Sequence, residues 1–431
     1  MLRTKVKVGE KASGNEIHLF PGQNLFTGDK PFLDEFKEIN SLESDLLNLA
    51  SGIFATDLHI ARNEREQYIR TIELTVEVVN LHAFRSIKDL LTDALLTISR
   101  DNWTIKFIQK KGNAVSNFDW QNKNGAVLLF SGGLDSMTGA SQLIENEKDL
   151  VLVSHNSHAN SAVDDSQRNV HKALEEHYKK SIKHIHLKVY GRNKGEYKFP
   201  EERENTQRTR SFMFLSLAAL VTRRSGFNKI LFMAENGQFA IHLPLNQARV
   251  SAFSTHTADP HFIEVAQEIF KTLLSNDNFE IFNPFLYKTK AEVFALLPNE
   301  LKQKAIHSAS CWMISRIPGN KHCGICIPCI SRRISIEFNN IAFKEYDKDI
   351  FSTDLDALAD DNNGKRNLID YLEFITKFKE VNEFNKMDIL TEFPELFNSA
   401  INQDEAMNLY QRVAYQSFEV FKKYPQVLRM L

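Results

Sequence analysis

The sequence contains no apolar run close to the roughly 20 residues that a transmembrane helix needs. It also lacks a signal-peptide pattern, because its start, MLRTKVKVGEKASGNEIHLF, has no apolar centre. Neither sign of charge is in excess: 53 Lys and Arg against 55 Asp and Glu give a net charge of −2. That balance argues against a broad nucleic-acid surface. These absences predict a soluble, cytoplasmic protein that does not bind membranes and has no nucleic-acid partner.

Cysteine is scarce and confined to one segment. The four cysteines among the 431 residues all lie in SCWMISRIPGNKHCGICIPC, with the spacing C-x11-C-x2-C-x2-C. A disulfide framework is disfavoured, since no secretion signal is present. Such spacing offers four thiolates to one metal ion, for which zinc is the usual occupant. A [4Fe–4S] cluster and catalytic thiols are the alternatives. We predict a closed structural zinc site formed by Cys311, Cys323, Cys326 and Cys329.

The length predicts two or three domains. From about residue 125, apolar strand-like runs alternate with helical patterns, which indicates an α/β fold with a doubly wound parallel sheet. We predict this core over residues 125–340, an N-terminal α+β domain over 1–124 that could dock a partner, and a helical C-terminal extension over 341–431. The predicted core strands are Ala126–Phe130, Leu150–Ser154, His184–Val189, Lys229–Ala234 and Phe279–Phe285.

A glycine-rich turn follows the first of these strands, in GAVLLFSGGLDSMTGA. Two adjacent glycines permit a tight turn whose backbone N–H groups form a nest for an anion, and the next helix adds its dipole. Ser131 and Ser136 can donate to phosphate, while Asp135 suits either a nearby Mg²⁺ or an internal brace. The alternative is a plain turn with Ser136 capping the helix. The sequence here fits neither the Walker pattern nor GxGxxG.

The segment FSGGLDS resembles the PP-loop of the ATP pyrophosphatases, which split ATP between its α and β phosphates. With SC…CGxCxxC…R downstream, the sequence is similar to the QueC family of 7-cyano-7-deazaguanine synthases. Those enzymes adenylate 7-carboxy-7-deazaguanine, form an amide with ammonia, and dehydrate it with a second ATP. The resemblance implies a HUP-like core and an ATP-binding loop made of Phe130, Ser131, Gly132, Gly133, Leu134, Asp135 and Ser136.

Two further segments are similar to family segments. In TRSFMFLSLAA, Arg210 takes the arginine position of an Arg-Asn pair, although Ser211 follows it here. In NPFLYKTKAEV, Lys290 takes the lysine position. A cation at a helix start opposes the helix dipole unless an anion lies opposite, and a solvated lysine is the alternative. The resemblance implies that Arg210 binds ATP and that Asp135, Ser131 and Lys290 are catalytic.

The stretch AENGQFAIHLPLNQAR follows the fourth core strand, at the functional edge of the sheet. Glu235 and Asn236 could read the edge of an aminopyrimidine, and Arg249 could hold a carboxylate or phosphate with its planar guanidinium. An ordinary polar loop is the alternative. The family's arginine after the last cysteine is Arg332 or Arg333.

The resemblance covers about residues 125–340, whereas the usual members lack the flanking segments. The long form resembles the QueC-like proteins of bacterial antiphage systems, such as QatC, which link a deazaguanine to a partner protein through an amide. It implies an ATP-dependent, AMP-producing ligase with ATP, Mg²⁺ and Zn²⁺, acting on a deazapurine carboxylate and a partner protein of a defence system. A free nitrile synthase and a non-catalytic nucleotide-binding scaffold are the alternatives.

Overall fold

The computed structural model describes residues 3–10, 16–63, 68–115, 120–146, 148–155, 161–200, 203–204, 206–231, 234–246, 258–343, 346–382 and 384–430. The described strands are β1 Arg3–Val8, β2 Ile17–Leu19, β3 Leu25–Phe26, β4 Thr71–Val78, β5 Asn102–Gln109, β6 Gly125–Leu129, β7 Asp149–His155, β8 Lys183–Leu187, β9 Tyr190–Gly191, β10 Lys229–Leu231 and β11 Glu280–Phe282.

The described α-helices are α1 Asp29–Phe36, α2 Ser41–His59, α3 Leu81–Ser86, α4 Lys88–Ser99, α5 Leu134–Glu145, α6 Ser161–Tyr178, α7 Arg210–Ser225, α8 Gly237–Ile241, α9 Pro260–Leu274, α10 Lys290–Ala295, α11 Asn299–Lys304, α12 Ile327–Phe338, α13 Asn363–Lys379, α14 Lys386–Glu392, α15 Gln403–Phe421 and α16 Pro425–Leu428. Among the described residues, no helix combines the length and apolar character that a membrane crossing requires.

The central sheet has five parallel strands in the order β11-β10-β6-β7-β8. Both of its faces are buried, since Val127 and Leu129 of β6 enter one apolar cluster, while Ala126 and Leu128 enter another. This confirms the predicted doubly wound α/β core. Strand β11 is shorter than predicted, because the chain turns at Pro284, which has no N–H to donate to a sheet.

The strand order contains one reversal. From β6 the chain moves outward through β7 to β8, and then returns to the other side of β6 to form β10 and β11. In a doubly wound sheet, the crevice at such a reversal, beyond the carboxyl ends of the strands, is the usual ligand site. The fold therefore places a binding crevice between the ends of β6 and β10.

The N-terminal segment forms a second parallel sheet, in the order β2-β1-β4-β5. The predicted mixture of strands and helices is present, with all of these strands parallel. One continuous apolar cluster joins this segment to the central sheet and contains Leu46 and Ile53 of α2 together with Val127 of β6 and Phe212 of α7. Whether residues 1–124 act as a separable partner-docking domain stays a prediction.

The C-terminal segment is helical, as predicted. Helices α13 and α15 build an apolar cluster that contains Leu368, Phe378 and Tyr410 and extends to Ile330 of α12. Polar contacts also join the extension to the core; for example, Arg412 Nε donates a hydrogen bond to Glu292 Oε1 of α10 at 2.7 Å. The extension therefore packs directly on the elements that follow β11.

Candidate active site and metal centre

Three loops meet at the crevice between β6 and β10. The loop after β6 leads through residues 131–136 into α5, the loop after β10 carries Glu235 and Asn236, and Lys290 begins α10, shortly after β11. The sequence analysis predicted these residues from three separate motifs. The topology brings them together because parallel strands end at one edge of a sheet.

Gly132 gives the first loop its shape. Its φ of +73° lies in the left-handed region that favours glycine, and a Cβ there would lie 2.7 Å from the backbone nitrogen of Gln167. Gly132 O also accepts from Ala309 N at 3.0 Å. The loop is therefore held between α6 and the segment before Cys311, with no space for a side chain.

Backbone donors at the start of α5 are available to an anion. Gly133 is the N-cap of this helix of 12 residues and brings no side-chain acceptor for its first N–H groups. The exposed Ser131 accepts from Gly133 N at 3.2 Å through its Oγ, which lies 3.2 Å from Ser136 Oγ. A helix start without a side-chain cap, next to two hydroxyls, is an arrangement that can bind phosphate.

Phe130 and Leu134, both predicted to contact ATP, place their side chains in the apolar core. Phe130 directly follows β6 and packs its side chain against one face of the sheet, and Leu134 lies on the buried side of α5. Their backbone groups are thus the atoms that can face a nucleotide. Arg249, a predicted substrate residue, lies outside the described residues.

Asp135 is buried at the centre of the site. Its Oδ1 accepts from Lys290 Nζ at 2.8 Å, and its Oδ2 accepts from Asn236 Nδ2 at 2.6 Å and from Asn236 N at 3.2 Å. The Lys290 side chain is only 8% exposed, and its Nζ lies 5.6 Å from the ring centre of Phe239. Lys290 is therefore not a solvated surface lysine. Burying such a pair is costly, which is typical of groups retained for function.

Glu235 lies beside Asp135, and its pKa is raised. Burial, and then the nearby Asp135 carboxylate, raise the pKa of Glu235 to about 8, although the Lys290 and Arg210 cations act in the opposite direction. At pH 7 the neutral acid can donate a hydrogen bond to Asp135. Asn236 Oδ1 is buried and has no hydrogen-bond partner in the described part of the chain, so it can accept from a ligand N–H.

Arg210, the first residue of α7, is the second cation near the site. Burial lowers the pKa of Arg210, whereas the carboxylates of Glu235 and Asp57 act to raise it. Its guanidinium lies 5.8 Å from the ring centre of Phe214, and its buried Nε has no hydrogen-bond partner among the described residues. The guanidinium therefore retains a donor for an anionic ligand.

The four cysteines form a buried cluster, with all sulfur atoms within 4.8 Å of one another and no disulfide between them. Cys323 Sγ lies 3.8 Å from Cys329 Sγ, and Cys326 Sγ lies 4.0 Å from Cys311 Sγ. A tetrahedral ion with metal–sulfur bonds of about 2.3 Å separates its ligands by about 3.8 Å. The cluster can therefore hold a single metal ion such as zinc.

The cysteine cluster shares its scaffold with the glycine loop. Helix α12 begins after Cys326 and carries the fully buried Arg332, which donates to Ser308 Oγ at 2.8 Å. Ala309, the next residue along, donates its N–H to Gly132 O. A metal bound by the cysteines would therefore hold in place a segment that braces the loop.

The sequence analysis gave no role to Asp57, which the structure places behind the site. This residue of α2 is 0% exposed, and its Oδ2 accepts from Thr209 N at 2.8 Å and from Thr209 Oγ1 at 3.1 Å, immediately before Arg210. The available signal was an acid in the otherwise apolar stretch GIFATDLH. Acids in such positions are retained when they are paired.

In a comparison with protein families, residues 125–340 fit the family described as queuosine biosynthesis protein QueC. Comparison with curated proteins gives no match. The matched range is half of the chain and includes the glycine loop, the residues around Asp135 and the four cysteines. It confirms the resemblance that these motifs indicated, while the antiphage long form stays a prediction. The chain belongs to the QueC family.

Proposed function

We propose that the protein uses ATP to activate the carboxylate of 7-carboxy-7-deazaguanine as an adenylate. Membership of the QueC family supports an ATP-using enzyme with a deazaguanine substrate. The observation that carries the proposal is the buried Asp135–Lys290–Asn236 cluster beside the start of α5. It combines a cation and backbone donors for phosphate with polar groups suited to a heterocycle.

In the first step, a substrate carboxylate oxygen attacks the α-phosphorus of ATP and the bond to the bridging oxygen breaks. The products are an acyl adenylate and pyrophosphate, whose oxygens gain charge as it departs. The N–H groups after Gly132 and the hydroxyls of Ser131 and Ser136 would stabilise this charge. Their effect would be larger in the transition state, where the departing oxygens carry more negative charge than in bound ATP. The Lys290 ammonium group, at the start of α10, would neutralise part of the charge on the departing pyrophosphate.

Both metal ions fit the residues present. The oxygens of Asp135 and Asn236 are of the kind that Mg²⁺ takes together with phosphates, and Mg²⁺ would supply charge neutralisation there. The cysteine cluster suits zinc, whose four thiolate ligands leave no open position. Zinc would therefore hold the loop scaffold and take no part in the reaction.

In the second step, an amine nitrogen attacks the acyl carbon, AMP leaves, the amine loses a proton, and an amide forms. We infer that a partner protein supplies this amine. A small cleft of about 60 Å³ opens beside Phe239 and is lined by Trp312, which is 57% exposed, and by Phe374 and Tyr410 of the helical extension. Because its walls join the family region to the extension, the cleft is suited to an acceptor that the family region alone would not bind.

The test incubates the protein with ATP, Mg²⁺, 7-carboxy-7-deazaguanine and ammonium as the amine. AMP and pyrophosphate should appear only when the carboxylate is present, whereas ADP and orthophosphate would refute adenylation. Lys290→Met should lower the rate about 10²–10³-fold. Lys288→Met, which changes an exposed lysine two residues earlier, is the matched control. Two AMP per nitrile formed would identify a free nitrile synthase and refute the partner ligase.

A further inference from the structure

A buried ion network ties the N-terminal segment to the start of α7. Arg70 donates to Asp57 and to Asp101, and Arg62 NH2 donates to Asp101 Oδ2 at 2.6 Å. Both carboxylates are 0% exposed. Asp57 also accepts two hydrogen bonds from Thr209, the residue just before α7. The network is therefore joined to the start of α7 through Asp57.

Thr209 is the N-cap of α7, and Arg210 is the first residue of that helix. The backbone N–H of Thr209 and its hydroxyl both donate to one Asp57 oxygen, which fixes the position and rotation of the helix start. Burial lowers the pKa of the Arg210 guanidinium, and the nearby Asp57 carboxylate acts to raise it.

We propose that Asp57 is a positioning residue for Arg210, so that the N-terminal segment completes the anion site of the central sheet. This inference rests on the proposed function, because it assigns Arg210 to bound ATP. Asp57 lies outside the residues that match the family, so the contribution comes from the part of the chain that the family region lacks.

The charges support this assignment. Burial alone would raise the pKa of Asp57, but Arg70, Arg62 and the hydrogen bond from Thr209 outweigh it and hold the pKa below its ordinary value. Asp57 is therefore an anion at neutral pH. An arginine at a helix start opposes the helix dipole, and a fixed carboxylate behind it offsets that cost.

The test compares full-length Asp57→Asn with full-length Asp101→Asn. Both remove one charge from the same buried network, so both should lower the melting temperature. The dissociation constant of Mg²⁺–ATP, measured by calorimetry, should rise roughly tenfold or more in Asp57→Asn. It should stay within about twofold of the wild type in Asp101→Asn. Equal effects of the two variants on ATP binding would overturn the inference.

A second set of variants keeps the test decisive if Asp57→Asn does not fold. Thr209→Val removes only the hydroxyl donor and should weaken ATP binding, whereas Thr209→Ser should restore it; identical binding by both would refute positioning. In an Arg210→Ala background, Thr209→Val should cause no further loss of ATP binding, and an additive loss would refute action through Arg210. These readouts measure binding alone. A wild type that binds ATP without releasing AMP would therefore refute the proposed function. The ATP dissociation constants of the variants would still decide whether Asp57 positions Arg210.

Discussion

Replacing Glu235 by Gln should remove a pH dependence of ATP binding that we expect of the wild type. The site contains the Asp135–Lys290 ion pair. Burial and then the Asp135 carboxylate raise the pKa of Glu235 to about 8, so Glu235 is largely neutral at pH 7. As the pH rises through that value, Glu235 ionises and adds one negative charge beside the bound phosphates. The affinity of the wild type for ATP should therefore fall as the pH rises, whereas the affinity of the glutamine variant should change little.

The size of the effect follows from Coulomb's law. Two unit charges about 8 Å apart at an effective dielectric constant near 20 repel by about 2 kcal/mol. Partial exposure and ionic screening reduce this to about 1–2 kcal/mol, which corresponds to a factor of roughly 5–30 in the dissociation constant. Between pH 7 and pH 9.5 the wild type should lose about tenfold in affinity, and Glu235→Gln less than about threefold.

Calorimetry at several pH values, in buffers of different ionisation enthalpy, measures both affinity and proton exchange. Near pH 8.5 the wild type should take up a fraction of one proton when ATP binds, since the ligand favours neutral Glu235. The glutamine variant should take up none. Glu280→Gln, at a half-exposed glutamate that begins β11, is the matched control. An equal pH slope in wild type and Glu235→Gln would refute the assigned charge state.

Three further outcomes test other parts of the site. Gly132→Ala should lower the melting temperature and abolish ATP binding, because its Cβ would strike the backbone of α6; a variant that melts and binds like the wild type would contradict the loop geometry. Cys329→Ser should lose the one zinc ion that we expect per chain, by elemental analysis, and should melt earlier, whereas iron in the wild type would refute zinc. Arg412→Met should lower turnover several-fold, because Arg412 holds Glu292, a capping residue of the helix that carries Lys290. The free energy of unfolding should fall by only about 0.5–1 kcal/mol. Unchanged turnover would show that this contact is dispensable.

The sequence predicted what depends on local pattern. The five core strands and the order of motifs were predictable, because buried parallel strands are continuous apolar runs and the glycine turn needs residues that are adjacent in the chain. The same local logic predicted the cysteine ligand set from its spacing. Asp135, Lys290 and Asn236 could be assigned to one edge because their segments follow neighbouring strands.

Contacts between distant segments were not predictable in this way. The spacing of the cysteines does not indicate that Ala309 supports Gly132, since that hydrogen bond depends on how α12 packs. Likewise, strands β1 and β2 flank no motif. No pattern in α2 indicates that Asp57 contacts Thr209, 152 residues away. Such pairings depend on tertiary packing, which a single sequence leaves open.

The N-terminal segment and the C-terminal extension each contact the start of a helix that carries a cation of the site. Arg210 and Lys290 each begin a helix, where a cation opposes the helix dipole and needs a carboxylate nearby. Asp57 of the N-terminal segment braces the first of these helices, and Arg412 of the C-terminal extension braces the second through Glu292. Residues 125–340 alone would keep the motifs but lose both braces and expose the apolar surfaces beneath them. The flanking segments therefore support the two helix starts to which we assign phosphate binding, and the catalytic consequences should be measured on the full chain.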